Sequence, residues 1–294
     1  MASSLLTGIV AYWKLDESSG NPADSAGSGL TLTNNGTTTF ASALVNNGAD
    51  LGTSNSTKFF SRADALSMNL ANAFSASLWV KIRTEIASGI WNLMEISDAT
   101  RHVALRIFYD YNSGSRRITV QRQIGGVSFD TVNYTVTLGT SDWYNLVVRY
   151  NATTLEVYLN GVSVGSIASS GTGSGFGTSR TTVGQGFNES TMAYDGSFPS
   201  TYYDEIGVWS KQVSTQEISD LYNIGNANQY PFLTQTVTVA ETSTGTEAYA
   251  YISGKTITVD ETSTATESLT SSAPTTAWTK QSENTSTWTN QTKN

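Results

Sequence analysis

An alternation of apolar and polar residues with a period of two constrains the fold of this chain more than any other feature. In the segment 74–83 every second residue is apolar, and these residues are Phe74, Ala76, Leu78, Val80 and Ile82. The segments 102–111, 143–150 and 154–160 alternate in the same way. Because successive side chains of a strand point to opposite faces, this pattern predicts strands with one buried face. The chain is therefore predicted to be almost entirely β.

Turn signals separate these runs. Asn160-Gly161 stands between two alternating segments and predicts a two-residue hairpin turn, because both positions of a type I′ turn need a positive φ. Further strands are predicted at 8–15, 29–33, 57–61, 90–97, 132–138, 180–187 and 202–209. Many short strands with turns between them favour a β-sandwich or a barrel.

One segment has the periodicity of a helix. Ser214 and Glu217 form the pattern of a capping box. The apolar residues that follow have helical spacing, and they are Ile218, Leu221 and Tyr222. Gly225 stands where a glycine often ends a helix. A single short helix is predicted here.

The composition changes after Pro231, where Thr, Ser and Glu increase and large aliphatic residues become rare. The segment 236–244 recurs 20 residues later as 256–264, and the Trp-Thr-x-Gln sequence at Trp278 recurs 10 residues later at Trp288. Such repeats cannot bury an apolar face alone, so we expect this tail to assemble or dock, although a disordered Thr-rich tail is the alternative. The predicted assembly residues are Val237, Val239, Ile257, Val259, Trp278 and Trp288. The predicted domains are a sandwich over 1–230 and a tail over 231–294.

Charge and composition exclude several functions. Charged residues make up 14% of the chain and the net charge is −8, so an interaction with nucleic-acid phosphates has no electrostatic basis. The sequence contains neither a basic amphipathic segment nor a run of 18 apolar residues, so membrane association is not predicted. The chain has no Cys, and its first residues lack the basic start of a signal peptide, which favours folding in a reducing cytosol.

Several blocks of sequence, in order, resemble the laminin-G-like, concanavalin A-like lectin family. The blocks are an opening strand that ends in Leu-Asp-Glu at 8–17, a central strand at 74–81, a hairpin at 143–161 and a closing strand with its helix at 204–223. The resemblance covers about residues 8–226 and implies a jelly-roll sandwich of two antiparallel sheets. The tail resembles, in composition only, the Thr-rich repetitive segments of phage structural proteins.

The residues do not favour an enzyme. Glycoside hydrolases of this fold usually carry Glu-x-Asp-x-x-Glu on one strand, and this motif is missing from the sequence. Asp204 and Glu205 are adjacent, so a regular strand would point them to opposite faces. The only histidine, His102, has no evident Ser or Cys partner. We therefore predict a non-enzymatic protein.

The resemblance also implies one Ca²⁺ near the opening loop, held at the positions of Asp24 and Asp204, with Asp16 as a further ligand. Carboxylate and loop carbonyl oxygens suit this ion. The alternative is that these residues cap turns and accept hydrogen bonds from loop N–H groups. Zinc is not expected in a chain with one His and no Cys.

A sugar site needs aromatic faces beside amides, carboxylates or guanidinium groups. The candidate residues are Trp79, Trp91, Arg106, Asn188, Glu189, Tyr194 and Asp195. We expect Trp79 and Arg106 to share the less apolar face of a sheet. The alternative is that the aromatic residues belong to the core, as most do in a sandwich.

Two functions follow. The first is a virion structural protein, a capsid-decorating or fibre component of a phage made in the host cytoplasm. It would display a lectin-like domain for weak glycan adhesion and contact other virion proteins or copies of itself through the tail. The second is a carbohydrate-binding module of a secreted bacterial protein, which would be extracellular.

Overall fold

A computed structural model describes residues 4–53, 57–63, 66, 69–98, 103–125, 128–171, 178–188, 193–194, 199–232, 235–240, 255–260, 276–280 and 288–292. Residues Ser4–Phe232 form one compact unit, and the strands that follow residue 232 belong to another. No helix in these ranges is long and apolar enough to cross a membrane.

The compact unit is built from seventeen described strands and one short α-helix. The strands are β1 Ile9–Trp13, β2 Thr33–Asn35, β3 Thr39–Ser42, β4 Asn47–Asp50, β5 Phe59–Arg62, β6 Phe74–Ile82, β7 Gly89–Asp98, β8 Val103–Asn112, β9 Ser115–Gly125, β10 Ser128–Thr135, β11 Trp143–Tyr150, β12 Thr154–Leu159, β13 Val162–Ala168, β14 Thr178–Val183, β15 Phe187–Asn188, β16 Ala193–Tyr194 and β17 Thr201–Trp209. Helix α1 spans Thr215–Tyr222, and short 3-10 helices span Ser4–Leu6 and Asn223–Gly225.

Two antiparallel sheets make the sandwich. One has the strand order β13-β12-β11-β6-β17-β4-β3, and β1 also pairs with β17. The other has the order β10-β9-β8-β7-β14-β5-β2. This arrangement confirms the predicted jelly-roll sandwich of two antiparallel sheets with one short helix near its C-terminal end.

The main core lies between the sheets. All five alternating apolar residues of β6 are completely buried there, as their spacing predicts. The opposite face of β6 is also covered, because Trp79 stacks on Tyr222 with 5.8 Å between ring centroids. A second apolar cluster surrounds the helix there and includes Trp209, Ile218 and Leu221. The eight-stranded sheet is therefore buried on both faces at its centre.

Three local predictions can be compared with the structure. Asn160 and Gly161 have φ values of 52° and 77°, which confirms a turn that needs two positive φ angles. Ser214 and Glu217 exchange both hydrogen bonds of the capping box. The prediction for Gly225 is wrong, because Asn223 takes the left-handed conformation that ends the helix, with φ 44°. Asparagine adopts that conformation more readily than most residues.

The tail strands form two separate pairs, and the first of them follows the spacing of its repeat. Strand β18, Gln235–Ala240, runs parallel to β19, Lys255–Asp260, with Val237 opposite Ile257. Strand β20, Thr276–Lys280, is antiparallel to β21, Trp288–Thr292. Residues 20 apart are thus hydrogen-bonded neighbours in the first pair.

Candidate functional site

The opening loop after β1 is organised by one carboxylate, that of Asp24. Its Oδ1 accepts hydrogen bonds from the backbone N–H groups of Tyr12 (3.0 Å) and Ala26 (2.9 Å). Its Oδ2 accepts from those of Ser28 (2.9 Å) and Leu30 (3.2 Å). Four backbone donors thus occupy both oxygens, and Asp24 holds the loop in the way expected of a turn-capping residue.

A second group of carboxyls lies where this loop meets the turn between β3 and β4. The Oδ1 atom of Asp16 accepts from the backbone N–H of Asn47 at 3.3 Å. The Gln229 side-chain amide joins two carboxyls, donating from Nε2 to Asp16 Oδ2 at 2.8 Å and to Glu205 Oε1 at 2.7 Å. Asp204 Oδ2 accepts from the backbone N–H of Val45 at 2.9 Å. We call Asp16, Asp204 and Glu205 the acidic cluster.

A β-bulge in β17 brings Asp204 and Glu205 into this cluster. Strand β17 advances three residues from Asp204 to Gly207, while its partner β6 advances only two, from Trp79 to Ser77. Glu205 is in the left-handed region with φ 46°. The expectation of a regular strand with the two side chains pointing apart is therefore wrong. The extra residue breaks the alternation of side chains. The negative charge of Asp16 raises the pKa of both carboxyl groups.

Burial determines the electrostatics of the acidic cluster. Asp204 is 0% exposed and Glu205 is 2% exposed. Loss of hydration, and then repulsion from Glu205 and Asp16, raises the pKa of Asp204 to about 9. Loss of hydration raises the pKa of Glu205 to about 7, with Asp16 adding repulsion. Both groups hold protons far above the pH at which an exposed carboxyl loses them.

The oxygen atoms of this cluster can be compared with the ligands that calcium needs. Asp204 Oδ1 and Glu205 Oε2 are buried and have no partner in hydrogen-bonding geometry. The nearby Tyr12 hydroxyl still interacts with Glu205 and moderates the rise of its pKa. The two buried oxygens fit a hard cation, whereas the oxygens of Asp24 are already used. Within the described ranges, no three Asp, Glu, His or Cys side chains are arranged to hold a metal. Further ligands would therefore be carbonyl oxygens or water, which calcium accepts.

The two tryptophans predicted to bind sugar are in the interior. Trp79 is 2% exposed beneath Tyr222. Trp91 is 7% exposed and packs against Tyr109 in the core between the sheets, with 6.4 Å between ring centroids. Neither ring presents a free face to a sugar. The alternative, that these aromatic residues belong to the packing of the sandwich, describes both of them.

Arg106 is not brought together with Trp79. Arg106 belongs to β8 in the seven-stranded sheet, whereas Trp79 belongs to the eight-stranded one, so the expected shared face is wrong. Arg106 is hydrogen-bonded to Asn92 and lies 3.5 Å from Glu95. Of the four remaining candidates, two lie on paired strands and two lie outside the described residues. Asn188 and Tyr194 are in the β15–β16 hairpin, while Glu189 and Asp195 lie outside the described residues, as does His102.

Two carboxylates on the seven-stranded sheet are separated along its strands. Glu95 on β7 pairs in register with Arg106, and Asp110 is four residues further along β8. Four residues of a strand span about 13 Å. Both side chains are almost completely buried. Hydrolysis of a glycosidic bond needs two carboxyls within about 5 to 9 Å of each other across the bond.

A family model supplies the classification of this fold. The model of the laminin-G type described as concanavalin A-like lectin/glucanases superfamily matches residues 51–219, more than half of the chain. The chain belongs to this superfamily. Its matched region starts after the opening loop and includes both acidic residues of the β17 bulge.

Solved structures with this fold include binding domains of toxins. The binding domain of botulinum neurotoxin DC in complex with rat synaptotagmin II has a TM-score of 0.60 and 12% identity, covering 75% of this chain and 52% of that one. The same domain in complex with SialylT has a TM-score of 0.59 at 12% identity, with the same coverage. The binding domain of Paraclostridial Mosquitocidal Protein 1 has a TM-score of 0.58 and 13% identity, covering 76% and 53%.

The chain spans about half the length of these solved structures. At such low identity the likeness establishes the fold. No curated protein matches the chain. The superfamily member is thus lectin-like in fold, and the solved structures compared with it are binding domains.

Sequence reasoning identified Asp16 and Asp204 but missed Glu205 and Gln229. Glu205 was assigned to the opposite face because a bulge leaves no mark in the alternation of a single sequence. Gln229 lies beyond the helix and reaches Asp16 across 213 residues of sequence. The two adjacent acidic residues in the closing strand, Asp204 and Glu205, were the sequence signal that could have identified Glu205.

Proposed function

We propose that this chain is a non-enzymatic adhesion protein that binds glycans weakly through its lectin-like domain and assembles through its tail. In its most specific form the proposal is a virion structural protein, a capsid-decorating or fibre component of a phage. The partners of the tail are then copies of this chain or other virion proteins.

The in-register pairing of the tail repeats is the observation that carries the proposal. Parallel sheets are usually covered on both faces, and an isolated pair of strands is marginal in water. Strands β18 and β19 form such a pair, with each of residues 236–240 opposite its equivalent 20 residues later. Repeats that stack in register at a fixed spacing can continue the same pairing with further strands, including those of other chains.

Two features favour glycan binding over catalysis. The fold belongs to a lectin/glucanase superfamily, and the solved structures that it resembles over about half of their length are binding domains. Four acidic residues are at most 2% exposed, so a substrate cannot reach their carboxyls, and these are Asp204, Glu205, Glu95 and Asp110. A hydrolase needs its two carboxyls on either side of an accessible bond.

Calcium is proposed as a structural ion of the lectin-like domain. Asp204 and Glu205 would supply oxygen ligands together with carbonyl oxygens or water, and the charge of Asp16 lies nearby. The chemistry of the ion there is to neutralise buried carboxylates. Asp24 would not be a ligand, since backbone N–H groups occupy its oxygens.

The assembly can be tested with the full chain and light scattering after size-exclusion chromatography. We expect an oligomer for the wild type and a monomer for the double variant Val237→Asp with Ile257→Asp. The matched control is Thr238→Asp with Thr258→Asp, which adds the same charge at the neighbouring register position. A wild-type chain that runs as a stable monomer at high concentration would contradict assembly and favour the carbohydrate-binding module of a secreted bacterial protein.

Adhesion can be tested separately on a glycan array, with and without Ca²⁺. Multivalent display raises the avidity of weak sites, so the oligomer is the form to apply. We expect binding to a subset of glycans. Complete absence of binding in both conditions would leave the assembly role and remove the adhesion role.

A further inference from the structure

A groove lies between the opening loop and the segment that runs from β2 into β3. One wall is formed by residues 18–21, and the other by Asn34 and residues 37–40. The groove has a volume of about 430 Å³. Sites for small ligands have volumes of about 300 to 1,000 Å³, so one or two sugar rings fit this space.

The lining of this groove is uncharged. Its hydroxyl groups come from serine and threonine residues, with an amide from Asn21 and an aromatic ring from Phe40. Ser18, Ser19 and Asn21 are exposed, and no described residue takes a hydrogen bond from their side-chain O–H or N–H groups. Hydroxyls and amides both donate and accept, which matches the hydroxyl groups of a sugar. A phosphate or carboxylate ligand would instead need cations in the lining.

Phe40 supplies the apolar part of the site. Its ring stacks on that of Phe60, with 6.1 Å between centroids and 28° between planes. Phe60 is completely buried, so it fixes the position of Phe40, which is only partly buried and lines the groove. A sugar ring has one face of C–H groups, and an aromatic ring held beside hydrogen-bonding groups is the usual partner for it.

Asn34 holds the two walls together. Its Nδ2 donates to the carbonyls of Gly20 at 2.8 Å and Thr38 at 3.1 Å, and its Oδ1 accepts from the Thr38 N–H at 2.8 Å. Its own backbone N–H donates to Asn21 Oδ1 at 2.9 Å, which leaves the Asn21 Nδ2 group for a ligand. A groove whose walls are already tied together loses little entropy when it binds.

We propose that this groove binds one or two residues of a neutral glycan, through hydrogen bonds to Ser18, Ser19 and Asn21 and contact with Phe40. The inference rests on the adhesion proposed above and gives it a location and a ligand class. Lys58 donates to Thr39 Oγ1 at 3.4 Å near one end of the groove. A single cation at the end does not select an acidic sugar when the lining itself is neutral, so the neutral class is favoured.

The test is a titration of the full chain with neutral disaccharides, followed by saturation-transfer NMR and calorimetry. The probes are lactose, maltose, cellobiose and chitobiose, with 3′-sialyllactose as the acidic comparison. Ser19→Trp fills the groove and is expected to weaken binding by at least about tenfold. Phe40→Leu keeps an apolar side chain against Phe60 but removes the flat face, and a loss of about threefold to tenfold is expected.

Ser28→Trp is the matched control, because Ser28 is exposed on the same loop and does not line the groove. It should bind as the wild type does, and all three variants should keep the wild-type circular dichroism spectrum. If Ser19→Trp and Phe40→Leu bind as tightly as the wild type, the groove is not the site although adhesion stands. Binding of sialyllactose alone would overturn the neutral ligand class. Failure of the wild type to bind any probe or array glycan would overturn both proposals.

Discussion

The polar groups on the two sides of the opening loop differ in their exposure to water. On one side Asp16 joins the acidic cluster, where Asp204 and Glu205 are buried and each has an oxygen without a partner in hydrogen-bonding geometry. On the other side Ser18 and Asn21 line a neutral groove that is open to water. The same turn region serves both, since β3 borders the groove and the β3–β4 turn contacts the cluster.

This difference separates the residues that affect stability from those that are available to a ligand. A buried carboxyl without a partner costs free energy when it ionises, so the acidic cluster must keep its protons or take a cation. The side chains of Ser18, Ser19 and Asn21 are exposed to water, so they impose no such cost and remain available to a ligand. The cluster should therefore govern stability and its pH dependence, and the groove should govern recognition.

The largest expected change in the free energy of unfolding comes from Asp204→Asn, which replaces the ionisable carboxyl of Asp204 by an amide. The folded chain holds this proton up to about pH 9, whereas an unfolded chain releases it near the ordinary carboxyl pKa of about 4. The free energy of unfolding therefore falls as the pH rises between these values. Asp204→Asn keeps an acceptor for the Val45 N–H and cannot ionise. We expect it to be more stable than the wild type by at least about 2 kcal/mol at pH 9.

Urea unfolding at pH 5, 7 and 9 without divalent ions measures this difference. At pH 5 the difference between the wild type and Asp204→Asn should be much smaller than at pH 9. This pH lies only about one unit above the ordinary carboxyl pKa, so the unfolded wild type gains little free energy by ionising Asp204. Asp142→Asn, at an exposed position, is the control and should follow the wild type at each pH. Parallel stability curves for the wild type and Asp204→Asn would mean that the acidic cluster does not govern the pH dependence.

The second expected effect concerns calcium. Ions that bind only the folded state stabilise it by about 2.7 kcal/mol at a concentration 100 times the dissociation constant. Calcium should therefore raise the melting temperature of the wild type, and more at pH 8 than at pH 6, because it favours the ionised carboxyls. Asp204→Asn and Asp16→Asn should lose this increase, and Asp142→Asn should retain it. An equal increase in all four proteins would place the ion outside the cluster.

The sandwich itself could be predicted because its evidence is local. The five alternating residues of β6 are all buried, and the capping box of α1 has both its hydrogen bonds. Each signal needs only neighbours within a few residues along the chain. The hairpin of β3 and β4 was missed, because Thr39–Ser42 and Asn47–Asp50 are short and lack large apolar residues in alternation.

The acidic cluster could be predicted only in part, because it depends on contacts that are distant in sequence. Asp204 meets the Val45 N–H across 159 residues, and Gln229 meets Glu205 across a helix. The tryptophans show the opposite error. Trp79 stands at a polar position of the alternation, which suggested an open face, but Tyr222 from α1 covers it. Periodicity indicates which face a residue occupies and does not show what packs over that face.

The smallest effect is expected at Asn34, and it separates the two sides most sharply. Asn34→Ala removes the side-chain bonds to Gly20 and Thr38 and leaves the partly buried Thr38 N–H without its acceptor. A cost of about 1 to 2 kcal/mol in unfolding free energy is expected, with no change from pH 5 to pH 9 because no titrating group is involved.

Asn35→Ala is the matched control, since Asn35 bonds to Thr33 and Ser61 and does not line the groove. Both variants should lose stability, but only Asn34→Ala should also weaken sugar binding, because it frees the groove walls. Equal sugar affinity in the two variants, measured by the same titration, would show that the walls need no clamp and that preorganisation does not contribute to recognition.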